Sequence, residues 1–470
     1  MSLPPEGGVF YSDPELALWQ QRIATEPMPN PGALEAASAK DWRRIVTNTS
    51  RFIASGEPLP GPGDEGPGRA VHGSLARDAA FHFLLTGDER DLDAVRGYLL
   101  AQAVSPSNDY RRLCVRTVGG GTLDAWFWHA SWLLRYMATY DFVRAALGAA
   151  DRATIEASIR RNAYALAAHI DWGSAQIFPQ RLSGDYSVHA RDAAPKTEAE
   201  TWYARRYDTN SDCRITSADR PEKFPVHAYV RADGSPGPRL SVLSQWFNNR
   251  KSAAAAAFGI AGAMLGDPML VDHAKRYFME WLSFAVWPDG SEGEFARNGD
   301  YCIPQQGVIY ATTNLQGGLM LARVLARQGD DTLVTFRTRG GLFGSASDDG
   351  QEPKSLALVA RTQIGLRTGH LDWRFHEAWN QRQTASETGS LGASTSRYMR
   401  GDSVIDNYHE LGLLLAAPLL PQVPVTGLVL RDPAVTSLLF PGATGNAVAT
   451  GFGQWTDVFN TLPAVLLLRP

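Results

Sequence analysis

The stretch Ser252-Ala253-Ala254-Ala255-Ala256-Ala257-Phe258-Gly259-Ile260-Ala261-Gly262-Ala263 decides how this chain is read. It is apolar on every face and built almost wholly from small residues. A helix at a protein surface shows one polar face, whereas a helix with none is enclosed on all sides. Small side chains also let neighbouring helices come close. The segment therefore predicts an inner helix of an all-α architecture. Just beyond it stands Leu265-Gly266-Asp267-Pro268. Glycine suits the left-handed position that ends a helix, and aspartate caps the next one. Proline fits the first helical position, where its missing N–H costs nothing. A second helix over Met269–Phe284 is expected to follow.

The same punctuation recurs elsewhere. Ala76–Leu85 leads into Thr86-Gly87-Asp88 and a helix over Arg90–Ala103. Leu123–Leu147 leads into Gly148-Ala149-Ala150-Asp151 and a helix over Ala153–His169. Asn314–Arg327 runs into Gln328-Gly329-Asp330. Asp88 and Asp151 lie 63 residues apart, as do Asp267 and Asp330, and the 116 residues from Asp151 to Asp267 are nearly two such intervals. Helical hairpins repeated at a fixed period point to an α/α toroid or a solenoid. The expected fold is an all-α (α/α) toroid or incomplete barrel of roughly six or seven helix pairs, forming a single domain over residues 1–470. Strand signals are sparse: Val423–Leu430 and Ala447–Phe452 read as short strands, and Ser355–Leu366 fits either a strand or a helix. Near the N-terminus, Asp13–Thr25 and Ala33–Ser55 read as helices. The Gly/Pro-dense stretch 56–68 excludes a helix or a central strand, and reads as either a plain connector or a lid.

Composition narrows the partners. The chain has 470 residues, 44% hydrophobic and 20% charged, with a formal net charge of −4, so the molecule as a whole does not attract polyanions. Between Arg205 and Lys251, however, nine Lys/Arg face five Asp/Glu. Such a stretch is either a solvated loop of mixed charge or a local basic surface suited to an anionic ligand. No apolar run reaches the length of a membrane span. Cys114, Cys213 and Cys302 are odd in number and far apart, so neither a disulfide framework nor a zinc site is expected. Met1–Gly8 shows no charged region followed by an apolar one. The expectation is a cytoplasmic protein, or a periplasmic or secreted one if a leader has been removed.

Two polar segments carry the chemistry. Gln245-Trp246-Phe247-Asn248-Asn249-Arg250-Lys251 stands immediately before the small-residue helix. Trp287-Pro288-Asp289-Gly290-Ser291-Glu292-Gly293-Glu294-Phe295-Ala296-Arg297-Asn298-Gly299-Asp300-Tyr301 precedes a helix that carries Tyr310, Asn314, Leu315 and Gln316. Polar groups at the mouth of a buried helix are well placed to line a cavity.

The order Asn248-Asn249 at a helix start, Pro288-Asp289-Gly290-Ser291, Glu294-x-x-Arg297 and Tyr310-x-x-x-x-Leu315-Gln316 resembles the alginate-lyase superfamily. That superfamily includes polysaccharide lyase family 5 and the related family 38 glucuronan lyases. The resemblance covers Leu123–Arg327 in helical rhythm, with specific motifs in Asn248–Leu265 and Pro288–Leu325. It implies a toroid with a substrate cleft, β-elimination on a uronate polymer, and no redox cofactor or metal. Asn249 matches the asparagine that binds the substrate carboxylate, Arg297 the arginine near the catalytic tyrosine, and Tyr310 the tyrosine that serves as acid and base. Trp246 and Asn248, beside Asn249, are candidate substrate contacts. Two departures are visible. Arg250 stands where the family has histidine, and the interval from Arg297 to Tyr310 is longer than the family's. Tyr301 lies closer to Arg297 and competes with Tyr310 for the acid/base role.

The reaction asks for this set of residues. Elimination removes the C5 proton, alpha to a carboxylate, and that proton is hardly acidic while the carboxylate keeps its full charge. Asn249 and Arg250 would hydrogen-bond the carboxylate and stabilise the charge that develops. Where the C5 proton and O4 lie on one face, as in glucuronate and mannuronate, a single tyrosine takes the proton and protonates the leaving oxygen. A neighbouring cation such as Arg297 lowers the tyrosine's pKa. Arg250 in place of histidine tilts the substrate toward glucuronan. The expected partner is an anionic polysaccharide, with no nucleic acid or membrane, and the oligomeric state stays open.

Each residue also has a plainer reading. Tyr310 fits a helix core, Asn248 and Asn249 fit a helix cap, and Arg297 fits a surface pair with Glu294 or Asp300. Trp126, Phe127, Trp128, His129 and Trp132 form an aromatic cluster that suits either a sugar subsite, with Trp128 and His129 as its contacts, or a buried core. No spacing singles out His129, His189 or His227 as a base. Gly119-Gly120-Gly121 lacks the lysine and preceding strand of a phosphate loop. Two rival functions remain. An inverting hydrolase would draw two carboxylates from Asp289, Glu292, Glu294 and Asp300. A carbohydrate-binding repeat would bind the polymer without cutting it.

Overall fold

The computed structural model describes residues 8–24, 33–57, 72–108, 125–177, 247, 249–286, 290, 292, 306–338, 352–367 and 419–420. Its helices are α1 (Asp13–Ala24), α2 (Ala33–Ser55), α3 (Ser74–Thr86), α4 (Glu89–Val104), α5 (Ala125–Val143), α6 (Ala149–Ile177), α7 (Asn249–Leu265), α8 (Pro268–Phe284), α9 (Gln306–Arg327), the short α10 (Thr332–Thr335) and α11 (Leu356–Arg367). Among the described residues, β-pairing is limited to two isolated bridges, Val286 with Glu292 and Thr338 with Lys354. The chain is all-α there, as its punctuation predicts. Ser355–Leu366 resolves as helix, and its residue Gln363 donates from Nε2 to the Ala311 carbonyl of α9 at 3.2 Å. The strands expected at 423–430 and 447–452, and the stretch 58–68 read as connector or lid, lie outside the described residues. No described helix is long and apolar enough to cross a membrane.

The glycine–aspartate junctions form as their chemistry dictates at three places. Gly87, Gly266 and Gly329 take left-handed φ values of 73°, 65° and 82°. Asp88, Asp267 and Asp330 then accept backbone N–H groups of Arg90 (3.0 Å), Met269 (3.2 Å) and Thr332 (3.0 Å). The fourth junction differs. α6 begins at Ala149, so Asp151 sits inside its first turn rather than capping it. An acid is favoured there by the helix dipole, and its carboxylate binds Arg96 Nε of α4 at 2.6 Å.

These aspartates have a second role that explains their period. Each of the last three reaches the second helix of the preceding hairpin. Asp151 holds Arg96 of α4, Asp267 holds Arg160 (2.9 Å) and Tyr164 (2.6 Å) of α6, and Asp330 holds Lys275 (2.9 Å) of α8. One residue type at the turn of a hairpin thus fastens it to the hairpin before. The described residues hold four hairpins: α3/α4, α5/α6, α7/α8 and α9/α11.

The first helices of the hairpins pack side by side. α7 and α9 run parallel: Ser252 Oγ donates to Asn314 Oδ1 at 2.7 Å near their starts, and Gln328 Nε2 donates to the Ala263 carbonyl at 3.1 Å near their ends. α3 and α5 run parallel too, with Arg135 Nη1 on the His72 carbonyl at 3.0 Å and the rings of Phe81 and Phe142 5.3 Å apart. α7 is enclosed as predicted, with Ala253 to Ala257 all fully buried. Gly259 has no room for a side chain, since a Cβ there would come 2.5 Å from Ala274 Cβ and 2.9 Å from Leu321. α3 lacks a local side-chain cap, and Glu57 supplies one from a distance by accepting the N–H groups of Gly73 (2.5 Å) and Ala76 (3.0 Å). Burial pushes the Glu57 carboxyl up to about 7.

Residues 9–15 strap the opposite ends of these helices. Phe10 N–H donates to the buried Asp141 of α5 at 2.9 Å, and Arg327 of α9 donates to the Val9 carbonyl at 3.3 Å. Glu15 accepts from Arg323 and, at 2.5 Å, from Arg327. Burial alone would raise the Glu15 carboxyl, but the two guanidinium groups outweigh it and hold the pKa below its ordinary 4.5. Glu15→Gln leaves two largely buried cations without their counter-charge, and is expected to cost about 3 kcal/mol at pH 7, the low end for a broken buried pair. A depressed carboxyl pKa stabilises above the unfolded value and loses that contribution as pH falls through the folded one. The difference in thermal midpoint between Glu15→Gln and the parent should therefore shrink in acid. A gap that is equal at pH 7 and pH 3 would rule out charge as its source.

Candidate functional site

Because the strap bridges the C-terminal ends of α5 and α9, and α7 runs beside both, their N-terminal ends lie together at the other end of the array. Five of the sequence-nominated positions lie in the opening turns of these helices. Trp128 and His129 begin α5, Asn249 and Arg250 begin α7, and Tyr310 lies in the first turns of α9. The Ser252–Asn314 hydrogen bond sets the register between α7 and α9. One turn back from it on each helix stand positions 249 and 310, so the structure brings these two level on parallel neighbours.

Asn249 is fully buried, and among the described residues neither its Nδ2 nor its Oδ1 has a hydrogen-bond partner. It is also the first residue of its helix rather than the residue before it. Its amide therefore caps nothing, and the plain reading of this residue as a helix cap does not hold. A buried amide with both atoms unused is costly and rare, and calls for an explanation. Arg250 is half-buried and Lys251 is buried beside it. Helix N-termini carry partial positive charge, roughly half an elementary charge each, so this end of the array favours an anion.

His129 is placed differently from a surface subsite. It is fully buried, its Nε2 lies 2.8 Å from Asn162 Oδ1 of α6, and its ring packs 5.1 Å from Trp132. A ring so enclosed holds α5 to α6. Trp246, Asn248, Arg297 and Tyr301 lie outside the described residues, as do Asp289, Glu294 and Asp300. Among the described residues no group of three or more His, Cys, Asp or Glu side chains is placed to hold a metal ion.

Below Asn249 lies a buried polar network that the sequence reading missed. Glu292 is fully enclosed, and its Oε2 accepts from Trp281 Nε1 at 2.6 Å and from Asn314 Nδ2 at 2.9 Å. Asn314 Nδ2 also reaches the Phe247 carbonyl at 3.3 Å, and Ser252 Oγ lies 3.3 Å from Tyr277 OH. The one signal for it was the presence of Ser252 and Asn314 within apolar helices, where a polar side chain needs a partner. Both donors converge on one oxygen of this enclosed carboxyl group, Oε2.

Over a 156-residue stretch the chain is 31% identical to a protein named alginate lyase from Stenotrophomonas maltophilia (strain K279a). That stretch takes in 31% of this chain and 20% of that protein, so the match spans about a fifth of the relative's length. No family model matches the chain.

Proposed function

We propose that this protein is a polysaccharide lyase that cleaves a β-1,4-linked uronate polymer, glucuronan or mannuronate-type alginate, by β-elimination within a single toroidal domain. The observation that carries the reading is the buried, unpartnered amide of Asn249, level with position 310 at the positive ends of α7 and α9. An amide kept free of protein partners is ready to bind a substrate group, and a carboxylate suits both that amide and the local charge. The partial similarity to an alginate lyase supports the general class. In this reading Asn249 and Arg250 neutralise the carboxylate, Tyr310 takes the C5 proton and returns one to O4, and Arg297 favours the phenolate. Tyr301 is the alternative acid/base. Preorganised donors aimed at developing charge are the main source of acceleration in such a step.

The test is ultraviolet absorbance during incubation with glucuronan, polymannuronate, polyguluronate, hyaluronan and pectate. Rising absorbance on one of them reports the conjugated double bond of an unsaturated uronate and names the substrate. New reducing ends without absorbance would mean hydrolysis, and neither would mean binding without cleavage. Arg250→Ala should lower kcat/KM by roughly tenfold to a hundredfold, the worth of a hydrogen bond to a charged group. Unchanged kinetics would place Arg250 outside the cleft.

A further inference from the structure

Asn249 makes no hydrogen bond through its own side chain, so its direction depends on what holds the backbone around it. Asn314 does this from α9. Its Nδ2 reaches the Phe247 carbonyl two residues before Asn249, and its Oδ1 accepts from Ser252 Oγ three residues after. The two contacts bracket the first turn of α7. They need the Asn314 amide in one orientation only, because turning it over would set its oxygen against the Phe247 carbonyl.

Glu292 enforces the same orientation. Glu292 Oε2 accepts from the NH2 group of Asn314, which leaves Oδ1 toward Ser252. Trp281 Nε1 can only donate, and it fixes the same carboxylate oxygen from α8. Glu292, Trp281, Asn314 and Ser252 are all buried to within 1% of complete. A carboxyl group is a costly choice for filling space in such a place, since an apolar side chain of similar volume would avoid the desolvation of polar atoms.

We propose that Glu292 is a positioning residue for Asn249, acting through Asn314. It fixes the Asn314 amide, and so holds the start of α7 in register with α9, where positions 249 and 310 stand level. The proposal rests on the lyase reading in taking Asn249 as the group that binds the substrate carboxylate.

The test compares the full-length parent with Glu292→Gln, which keeps an acceptor, and Glu292→Leu, which does not. Each is assayed on the uronan the parent cleaves, and each is followed by amide hydrogen exchange. Glu292→Leu should lower kcat by on the order of a hundredfold, as expected for a small misplacement, with KM within about threefold. Glu292→Gln should stay within about tenfold of the parent. Exchange over residues 247–252 should rise in Glu292→Leu and not in Glu292→Gln, while α3 and α4 stay unchanged. Parental kcat in Glu292→Leu, or equal losses in both variants, would overturn the proposal. If Glu292→Leu does not fold, Asn314→Asp takes its place, because it keeps the acceptor for Ser252 but loses both donated bonds; the same kcat loss and local exchange are expected, and their absence overturns the proposal. If the parent cleaves no uronan, the lyase reading fails on its own. The exchange data then still judge the clamp, and unchanged exchange over 247–252 would overturn it.

Discussion

Asn249→Ala should lower turnover by about 10²- to 10³-fold, the effect of removing one preorganised donor from a developing anion, and should cost nothing in thermal stability. The two halves of this expectation share one cause. The Asn249 amide is enclosed, and neither of its polar atoms is bonded among the described residues. A buried polar group without a partner opposes folding by about 1–3 kcal/mol. Alanine removes that penalty and gives up little apolar volume, so the thermal midpoint should hold or rise. A helix-capping asparagine would behave in the opposite way, losing about 1 kcal/mol of stability on truncation with no effect on turnover. The loss should fall on kcat more than on KM, because the carboxylate draws on the amide most as charge builds toward the transition state. Thermal unfolding and steady-state kinetics on the same preparation separate the two cases. A variant that is less stable and fully active would remove Asn249 from the site.

What the sequence revealed and what it concealed follow from range. Gly266-Asp267-Pro268 is a local instruction, satisfied within a few residues, and the junction forms as read. Ser252 to Ala263 is enclosed because no face of it tolerates water, which is again written in the segment itself. Asp151 misled because its helix starts earlier, at Ala149, while Arg96 of another hairpin claims its carboxylate. Ser355–Leu366 suits strand and helix alike in its residues, and the helix it forms is tied to Ala311 of α9 by Gln363, a contact no local pattern encodes. Glu292 shows the limit most clearly. Within Trp287–Tyr301 it looks like one of several loop carboxylates suited to hydrolysis. Its donors come from Trp281 on one helix and Asn314 on another, and nothing local announces that they converge. The free amide of Asn249 is equally invisible in sequence, where the residue fits a cap as well as a ligand. Of the residues nominated by family order, Asn249 and Tyr310 lie in the opening turns of two neighbouring parallel helices. The network that holds them there became legible only in three dimensions.

Tyr310→Phe should abolish cleavage, with a fall of at least about 10³-fold, while the same change at Tyr301 should leave the rate within about tenfold. In the proposed reaction one phenol removes the C5 proton and then delivers a proton to O4, and general acid and general base catalysis each contribute about 10²- to 10⁴-fold. Phenylalanine keeps the ring and deletes only the hydroxyl, so secondary structure by circular dichroism should not change. Position 310 is preferred over 301 because Tyr310-x-x-x-x-Leu315-Gln316 keeps the order of the family it resembles. A proton at C5 and a carboxylate on the same carbon must be met by groups that near each other. The pH profile adds an independent check. An ordinary tyrosine ionises near pH 10, so a phenolate base gives a rate that climbs with pH up to its own pKa. In the proposed reaction the cation of Arg297 favours the phenolate, so Arg297→Gln is expected to move that limb up in pH. The reverse pattern, with Tyr301→Phe inert and Tyr310→Phe active, would transfer the acid/base role to Tyr301 and leave the carboxylate chemistry of Asn249 intact. Full activity in both variants would show that neither phenol carries the proton.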